Sequence, residues 1–331
     1  MLGVIWWMYA GYVWMTNAVS AHTAARRLLL LGGMASFLVL AMAIPHAFAG
    51  SGLAFGLAYL VVVTIHAALF TRATAASAAR AIFSLAAYNL FSAGLILLGG
   101  ALGGDAQYAL WTAGFLAEWL TPVIRGTRGF VVAPAHFVER HGLVVIVAIG
   151  ESVVAVALGA SHLAVDAPLV AAATLGLALS ACLWWLYFGG DDERAERALA
   201  ALPVAERARA AVRGYGYWHI PLLLGIVAIA AAERTAFEHP FGALTWPRSA
   251  MLAGGAALFL AGDVLFRREL RIGPGAVRAA AAAGALATVP LGAAVSPALQ
   301  VAALVALILA AVTVEGRRGA DGPAGAGPAH S

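Results

Sequence analysis

The stretch HFVERHGLVVIVAIGESVVAVAL, residues His136–Leu158, decides the fold. It opens with a polar cluster and continues as an apolar run that is long enough to cross a bilayer as a helix. Glu151 lies near the middle of this run. Because charge is costly inside hydrocarbon, an ionisable residue at that depth indicates a functional site. We expect the rest of the chain to form the helix bundle that surrounds it.

The composition is typical of a membrane protein. Of 331 residues, 63% are hydrophobic and only 11% are charged, whereas a soluble protein has about 25% charged residues. The net charge of +4 comes with arginines in short loops, which favours cytoplasmic loops over nucleic-acid binding. The single cysteine, Cys182, cannot form a disulfide within the chain. The sequence suggests no cofactor.

Eleven apolar segments have the length of about 20 residues that a membrane-spanning helix needs. We therefore predict an all-α, polytopic transmembrane helix bundle. The last two spans come from one long uncharged stretch, in which Pro290, Gly292, Ser296 and Pro297 predict a break. The predicted spans are Leu2–Ser20, Leu28–Ala49, Leu53–Phe70, Ala81–Gly100, Gln107–Ile124, Gly142–Ala160, Pro168–Phe188, Tyr215–Ala232, Ala250–Phe266, Ala276–Ala294 and Pro297–Val314.

The arginines alternate between loops in a way that indicates orientation. With this count of spans, eighteen of the twenty arginines fall on one side of the membrane, and only Arg234 and Arg248 fall on the other. Positively charged residues concentrate in cytoplasmic loops. We predict a multi-pass protein of the cell (plasma) membrane with a cytoplasmic C-terminus.

An internal repeat gives the predicted domain organisation. Trp6–Tyr9 in the first span matches Trp184–Tyr187 in the seventh, and weaker matches follow in the same order. Spans one to five thus correspond to spans seven to eleven, as in proteins built from two parallel repeats of six helices. The first repeat (residues 1–130) then lacks its first helix. The second covers residues 131–315.

Two polar segments complete this organisation. Residues 189–214 of the second repeat form its long cytoplasmic loop, which has five acids, five arginines, and Leu199 and Leu202 at helical spacing. We expect a solvated helix with compensating charges there. Residues 316–331 are rich in Gly, Ala and Pro, and we predict a disordered cytoplasmic tail.

Several motifs resemble the low temperature requirement protein A family of bacterial membrane proteins. The most specific is PAHFVERHGLVVIVAIGESVVA. The likeness extends from about Ile5 to Arg271 through WWMYAGYVWMTN, RRLLLLGGMASFLVLAMAIPHAF, FLAEWLTPV, LWWLYF and YGYWHIPLLLGIVAIAAAE. Members of that family begin with one more helix that carries an acidic, Phe-rich motif, and its absence here agrees with the repeat. The resemblance implies a multi-pass membrane protein but no defined chemistry.

Two carboxylates within predicted spans are the main candidates for function. Glu151 lies eleven residues after Arg140, so the two share a helix face. We expect Glu151 to face the bundle interior, either in a transport or proton-relay role or in a structural hydrogen bond. Glu118 precedes Pro122 by four residues, and a proline there weakens the helical ladder. Glu118 is expected either to pair with Glu151 or to hold helices together.

Four further polar residues lie at a depth similar to that of Glu118. They are His66, Asn89, His219 and Asp263. Taken alone, His66 would be interpreted as a core histidine with satisfied hydrogen bonds. Together with the two glutamates, the four residues predict a polar cavity in the inner half of the bundle, where histidines and carboxylates can carry protons. No His-x-x-x-His or Glu-x-x-His spacing indicates a dedicated metal site.

The polar cluster His136, Glu139, Arg140 and His141 is predicted to stand at the cytoplasmic mouth of this cavity. It would act there as a gate or as an anion contact through Arg140. The alternative is that these residues anchor and cap the helix, because an acid is favoured in the first turn of a helix.

These features favour a transporter or channel for protons or a small ion or solute. One alternative is an intramembrane enzyme that uses His and Glu as acid and base on a lipid-soluble substrate, although no nucleophile or metal motif is recognisable. Another is a structural or sensory membrane protein. The expected partners are the lipid bilayer and the small ion or solute, not nucleic acid, and the oligomeric state stays open.

Overall fold

The computed structural model describes residues 1–18, 23–71, 76–127 and 131–320. Throughout these residues the regular structure is helical, without a strand. The chain divides into two compact units, and the division falls within the helix that carries Glu151. The first unit comprises Met1–Phe137 with Leu199–Val212, and the second comprises Val138–Ala198 with the described residues from Arg213 onward.

The helices of the first unit cover the first five predicted spans. Within it α3 packs against α1, α2 and α4, and α5 packs against α1 and α4. The helices are α1 (Leu2–Ala18), α2 (Ala24–Ala43, followed by a 3₁₀ turn at Ile44–His46), α3 (Gly52–Thr71), α4 (Ala76–Leu102) and α5 (Gly104–Arg125).

The remaining helices cover the other six predicted spans and the long loop. In the second unit α11 packs against α10, α12, α13 and α14, and α14 also packs against α7. The helices are α6 (Pro134–Ala160), α7 (Ala167–Phe188), α8 (Asp191–Ala201), α9 (Val204–Ala211, followed by a π-helical segment at Val212–Tyr217), α10 (His219–Ala236), α11 (Trp246–Leu270), α12 (Ala276–Leu286), α13 (Val289–Ala294) and α14 (Pro297–Ala320).

The architecture confirms the prediction of an all-α polytopic bundle, since helix covers most of each predicted span within the described residues. Nine stretches of the described chain are long and apolar enough to cross a membrane. The two predicted spans that fall short of this measure are α1 and α5. Helix α1 has 17 described residues, and α5 carries several polar side chains.

The tenth predicted span is broken where a single helix was expected. Helix α12 ends at Leu286, and α13 begins at Val289. Pro290 has no N–H to donate to the carbonyl of Leu286, and its ring crowds that carbonyl. The break predicted before Pro297 is present too, because α13 ends at Ala294 and α14 starts at Pro297.

The loop at residues 189–214 is less solvated than the sequence suggests. It contains the two helices α8 and α9, and Leu199 is fully buried as its helical spacing indicates. However, Asp191 is also buried, because it pairs with arginines of the second unit. The predicted tail begins inside α14, which continues to Ala320, and the rest of the tail lies outside the described residues.

Candidate functional site

Glu118 is the most deeply buried of the predicted site residues in the first unit, with no exposed surface. It lies on the buried face of α5, together with Gln107, Trp111, Gly114 and Thr121. Its Oε1 accepts a hydrogen bond from the Tyr59 hydroxyl of α3 and another, at 2.9 Å, from the Ser92 hydroxyl of α4. Three helices therefore meet at one carboxyl group.

A close approach of α4 and α5 makes this contact possible. Gly114 lies one turn before Glu118, and a Cβ at that position would lie 3.2 Å from the carbonyl oxygen of Ser92. Trp111, one turn further back, donates through Nε1 to the carbonyl of Ile96 at 2.8 Å. The helix continues through Pro122 to Arg125. Since proline has no N–H, the Glu118 carbonyl lacks its usual helical donor.

Both hydroxyls that donate to Glu118 have a second acceptor within reach. The Tyr59 hydroxyl lies 3.3 Å from the carbonyl oxygen of Val4, and the Ser92 hydroxyl lies 2.9 Å from that of Gly114. A hydroxyl has one hydrogen, which rotates to suit its surroundings. Each hydroxyl can therefore donate either to the carboxyl group or to the backbone.

The second carboxyl oxygen of Glu118 differs from the first. Oε2 is buried and has no hydrogen-bond partner among the described residues. A buried polar atom in this state requires an explanation, for which a catalytic or binding role is one of the usual candidates. The proton of a neutral Glu118, or a small cation, would therefore be expected at Oε2.

The other two predicted residues of the first unit have partners of their own. Asn89 lies one turn before Ser92, and its Oδ1 accepts from Trp7 Nε1 at 3.2 Å. His66 lies two turns after Tyr59, and its Nε2 is 3.0 Å from the carbonyl oxygen of Gly11. Since a carbonyl can only accept, Nε2 of His66 must carry the hydrogen.

In the second unit His219 lies in a buried cluster of rings. Its Nδ1 is 3.1 Å from the Gly214 carbonyl and must donate to it, so in a neutral ring Nε2 accepts from the Tyr187 hydroxyl at 2.8 Å. The ring also stacks on Tyr215 and meets Phe266 edge-on. In its neutral form His219 therefore carries the hydrogen on Nδ1.

The π-helical segment Val212–Tyr217 sets up this cluster. Its sequence, Val-Arg-Gly-Tyr-Gly-Tyr, has two glycines, and Trp218 N donates to the Arg213 carbonyl five residues earlier. This wider turn places the Gly214 carbonyl and the Tyr215 ring against the His219 side chain. Segments of this kind occur frequently at functional sites.

Asp263 belongs to an ion network rather than to an open cavity. Arg278 Nη1 donates to Asp263 at 2.5 Å and to Asp191 at 2.8 Å, and Glu315 accepts from Arg278 and Arg267 at 3.1 Å. Arg278 and Arg267 are buried, although both lie at the ends of predicted spans and were counted among the cytoplasmic arginines. A buried ion needs a partner. These arginines are therefore buried together with the acids, and their ion pairs connect α8, α11, α12 and α14.

The orientation predicted for Glu151 is wrong. The buried face of α6 is formed by His141, Val145, Ile149, Ser152 and Val156, and Glu151 lies on the other side with exposed Val147 and Val154. Arg140 and Glu151 do share a face, as the spacing indicates, and that face is exposed. Because α6 is apolar on all of its faces, its sequence does not indicate which face is buried, and so it does not indicate the orientation of Glu151.

The residues predicted at the cytoplasmic mouth differ in burial. Glu139 and Arg140 are exposed and His136 is half-buried, but His141 is completely buried. The His141 ring packs against Tyr215 at 4.7 Å and His219 at 5.9 Å between centroids. His141 therefore belongs to the ring cluster because its position on α6 faces the interior.

The predicted cavity residues thus divide between the two units. Asn89 lies one turn from the Glu118 site, and Asp263 lies one turn from Phe266 of the ring cluster. Sequence reasoning missed the partners Tyr59, Ser92, Tyr187 and Arg278, because such residues are ordinary in apolar helices or at their ends. Over the described residues, no group of three or more His, Cys, Asp or Glu is arranged to hold a metal ion.

Comparison of the sequence with known proteins finds a matching family. The family profile described as "Bacterial low temperature requirement A protein (LtrA)" matches residues 1–314. A curated protein of Rhizobium meliloti (strain 1021), described only as uncharacterized, is 27% identical over 279 residues, which cover 80% of this chain and 67% of the relative. No solved structure matches the chain significantly.

Proposed function

This chain belongs to the bacterial low temperature requirement A protein family, and we propose that it acts there as a transporter or channel for protons or a small ion or solute. The observation that carries the proposal is the unequal state of the two Glu118 oxygens. One accepts two hydroxyl hydrogen bonds, and the other is buried without a partner in the described part of the chain. Glu118 is the proposed binding residue for the transported or coupling proton.

The two hydroxyls next to Glu118 support a group that changes charge. When the carboxyl group is ionised, Tyr59 and Ser92 can both donate to it, and a carboxylate that accepts hydrogen bonds is stabilised. When a proton neutralises it, the same hydroxyls can turn to the carbonyls of Val4 and Gly114. Neither state then leaves a buried hydroxyl hydrogen without an acceptor, which lowers the cost of alternating between them.

Of the remaining predicted residues, Asn89 is the best candidate to line the same path, since it lies one turn from Ser92. Roles for His66, His219 and Asp263 in transport stay predictions, as does a role for Glu151. Because the arginines are divided eighteen to two between the predicted sides, we also propose that the C-terminus is cytoplasmic.

A corresponding hydrogen bond in each unit supports the proposed parallel repeat. Gln107 is the fourth residue of α5, and its Nε2 donates to the carbonyl of Ala47, before α3, at 2.7 Å. Gln300 is the fourth residue of α14, and its Nε2 donates to the carbonyl of Ser249, in the first turn of α11, at 2.9 Å. Under the repeat α5 corresponds to α14 and α3 corresponds to α11.

Proton flux in liposomes tests the proposal. The purified chain is reconstituted with a pH-sensitive dye inside the vesicles, and a pH gradient is imposed with and without a potassium diffusion potential. Wild-type protein should dissipate the gradient faster than empty liposomes, and Glu118→Gln, which has the same shape but cannot ionise, should not. Asp105→Asn is the matched control, since Asp105 is an exposed acid on the same helix.

The outcomes distinguish the proposal from its alternatives. If Glu118→Gln and Asp105→Asn both conduct like wild type, Glu118 is a structural hydrogen-bond acceptor and the proposal fails. If Glu151→Gln alone abolishes flux, the proton site lies at Glu151 instead. If the wild-type protein moves no proton, ion or solute but turns over a lipid, an intramembrane enzyme is the better description.

A further inference from the structure

Glu233, in the last turn of α10, is a buried carboxyl group that neither the predicted site nor the proposed function uses. It has no exposed surface, and both of its oxygens lack a hydrogen-bond partner in the part of the chain that the structure describes. It takes part in none of the ion pairs formed by those residues. The predicted eighth span ended one residue earlier, at Ala232, so this acid was assigned to a loop.

The packing of α10 accounts for the burial. Leu222, Ile229 and Glu233 are separated by seven and four residues, so they lie on one helix face. On this face Leu222 packs against Gly262, and Ile229 packs against Gly255. Glu233 therefore lies one turn beyond a close contact between α10 and α11, on the face that meets α11.

Among the residues that the structure describes, no charged side chain forms an ion pair with Glu233. The nearest charged or titratable residues in sequence, Arg234, Glu238, His239 and Arg248, are all exposed. On α11, Asp263 and Arg267 lie at the opposite end, beyond the contact of Gly262 with Leu222. On α6, Glu151 is exposed, whereas Gly159 is the residue next to the Arg234 carbonyl.

The buried polar side chains Ser249 and Gln300, at this end of the second unit, are uncharged and hydrogen-bonded. Ser249 at the start of α11 donates to the Val289 carbonyl at 2.6 Å, and Gln300 of α14 donates to the Ser249 carbonyl at 2.9 Å. Arg278 of α12 pairs with Glu315 of α14 at the other end of these helices. An ionised Glu233 would thus be a buried charge without compensation, which is strongly unfavourable.

We propose that Glu233 is a second proton-binding site of the protein, separate from Glu118. A proton from water adds to one carboxyl oxygen and gives the neutral acid, and its release regenerates the carboxylate. The exchange is expected at the end of α10, because exposed Glu238 and His239 follow within six residues. This inference does not depend on the proposed function, since the site can bind a proton whether or not the protein transports one.

Carbodiimide labelling tests this directly on the wild-type chain. The lipid-soluble reagent dicyclohexylcarbodiimide adds to protonated carboxyl groups, and the adduct rearranges to a stable N-acylurea. The full chain in liposomes is treated at acidic, neutral and alkaline pH, digested and mapped by mass spectrometry at residue level. Glu233 should carry the adduct at acidic and neutral pH, and the labelled fraction should fall as the pH rises.

Neighbouring acids provide the controls. Glu238, which is exposed and follows by five residues, should be modified by a water-soluble carbodiimide with an amine, and Glu233 should not. Glu233→Gln should abolish the adduct at residue 233 and leave labelling elsewhere unchanged. Glu118→Gln should leave the Glu233 adduct in place, so a failure of the Glu118 proposal is distinguishable from a failure of this one.

Three results would overturn the proposal. The first is the absence of a Glu233 adduct at every pH when other buried carboxyl groups of the same sample react. The second is modification of Glu233 by the water-soluble reagent as readily as Glu238. The third is loss of the adduct when sodium or potassium salt is added at constant pH, because a metal cation would then occupy the site.

Discussion

Gly225 of α10 and Gly255 of α11 approach each other so closely that neither position has room for a side chain. A Cβ on Gly225 would lie 2.6 Å from the carbonyl oxygen of Gly255, and a Cβ on Gly255 would lie 2.9 Å from that of Gly225. Small residues let transmembrane helices pack backbone to backbone. The contact holds together the two helices that carry Glu233, His219 and Asp263.

We expect Gly255→Ala to destabilise the protein by about 1–3 kcal/mol, the usual cost of adding atoms to a close-packed interior. The added methyl group would also meet Cγ1 of Ile229 at 2.9 Å. Gly254→Ala is the matched control, because a Cβ there meets nothing within 4 Å. Unfolding free energies in detergent micelles provide the comparison, and equal values for the two variants would contradict the packing described above.

Arg278→Met should destabilise the protein by about 3–5 kcal/mol, as expected when one member of a buried ion network is removed. The substitution removes the guanidinium group that pairs with buried Asp263 and Asp191. Glu315 then keeps its ion pair with Arg267. Arg268→Met removes an exposed charge ten residues earlier and should have little effect. The double variant Arg278→Met with Asp263→Asn should recover part of the loss, and a full additive loss would mean that the pair is not coupled.

The ion network also illustrates what the sequence could and could not predict. Hydropathy located the eleven predicted spans in helical regions, because a long apolar run has few alternatives in a bilayer. It could not place Arg278, since a charge a few residues inside a span boundary can turn either to water or to a buried acid. Glu118 was recognisable as an acid in an apolar helix. Its partners Tyr59 and Ser92 depend on how three distant segments pack, which periodicity does not encode.

Tyr187→Phe should cost about 1–3 kcal/mol of stability, because it removes the hydroxyl that is hydrogen-bonded to the buried Nε2 of His219. The Gly214 carbonyl keeps the other ring nitrogen protonated, so the ring cannot compensate by changing tautomer. Tyr108→Phe makes the same chemical change at a largely exposed ring and is the control. If thermal unfolding in detergent gives the same midpoint for both variants, the Tyr187–His219 hydrogen bond contributes nothing.

Tyr59→Phe should change the infrared spectrum of ionised Glu118. Hydrogen bonds to a carboxylate lower its antisymmetric stretching frequency, and this variant removes one of the two donors to Oε1. The band that disappears in Glu118→Gln should therefore move to higher frequency in Tyr59→Phe. Ser92→Ala removes the other donor and should shift the band in the same direction. A band that does not respond to either substitution would mean that these hydroxyls do not bond to Glu118.

The orientation of the chain can be tested with single cysteines. Cys182 is the one cysteine in the sequence and is buried, so Cys182→Ser gives a background for labelling. Ser161→Cys lies in the exposed turn after α6, on the predicted outer side, and Arg197→Cys lies on α8, on the predicted cytoplasmic side. A membrane-impermeant maleimide should label the first variant in intact cells and the second only after permeabilisation, since eighteen of twenty arginines favour that orientation. The reverse pattern would place the C-terminus outside and would contradict the orientation that the arginines favour.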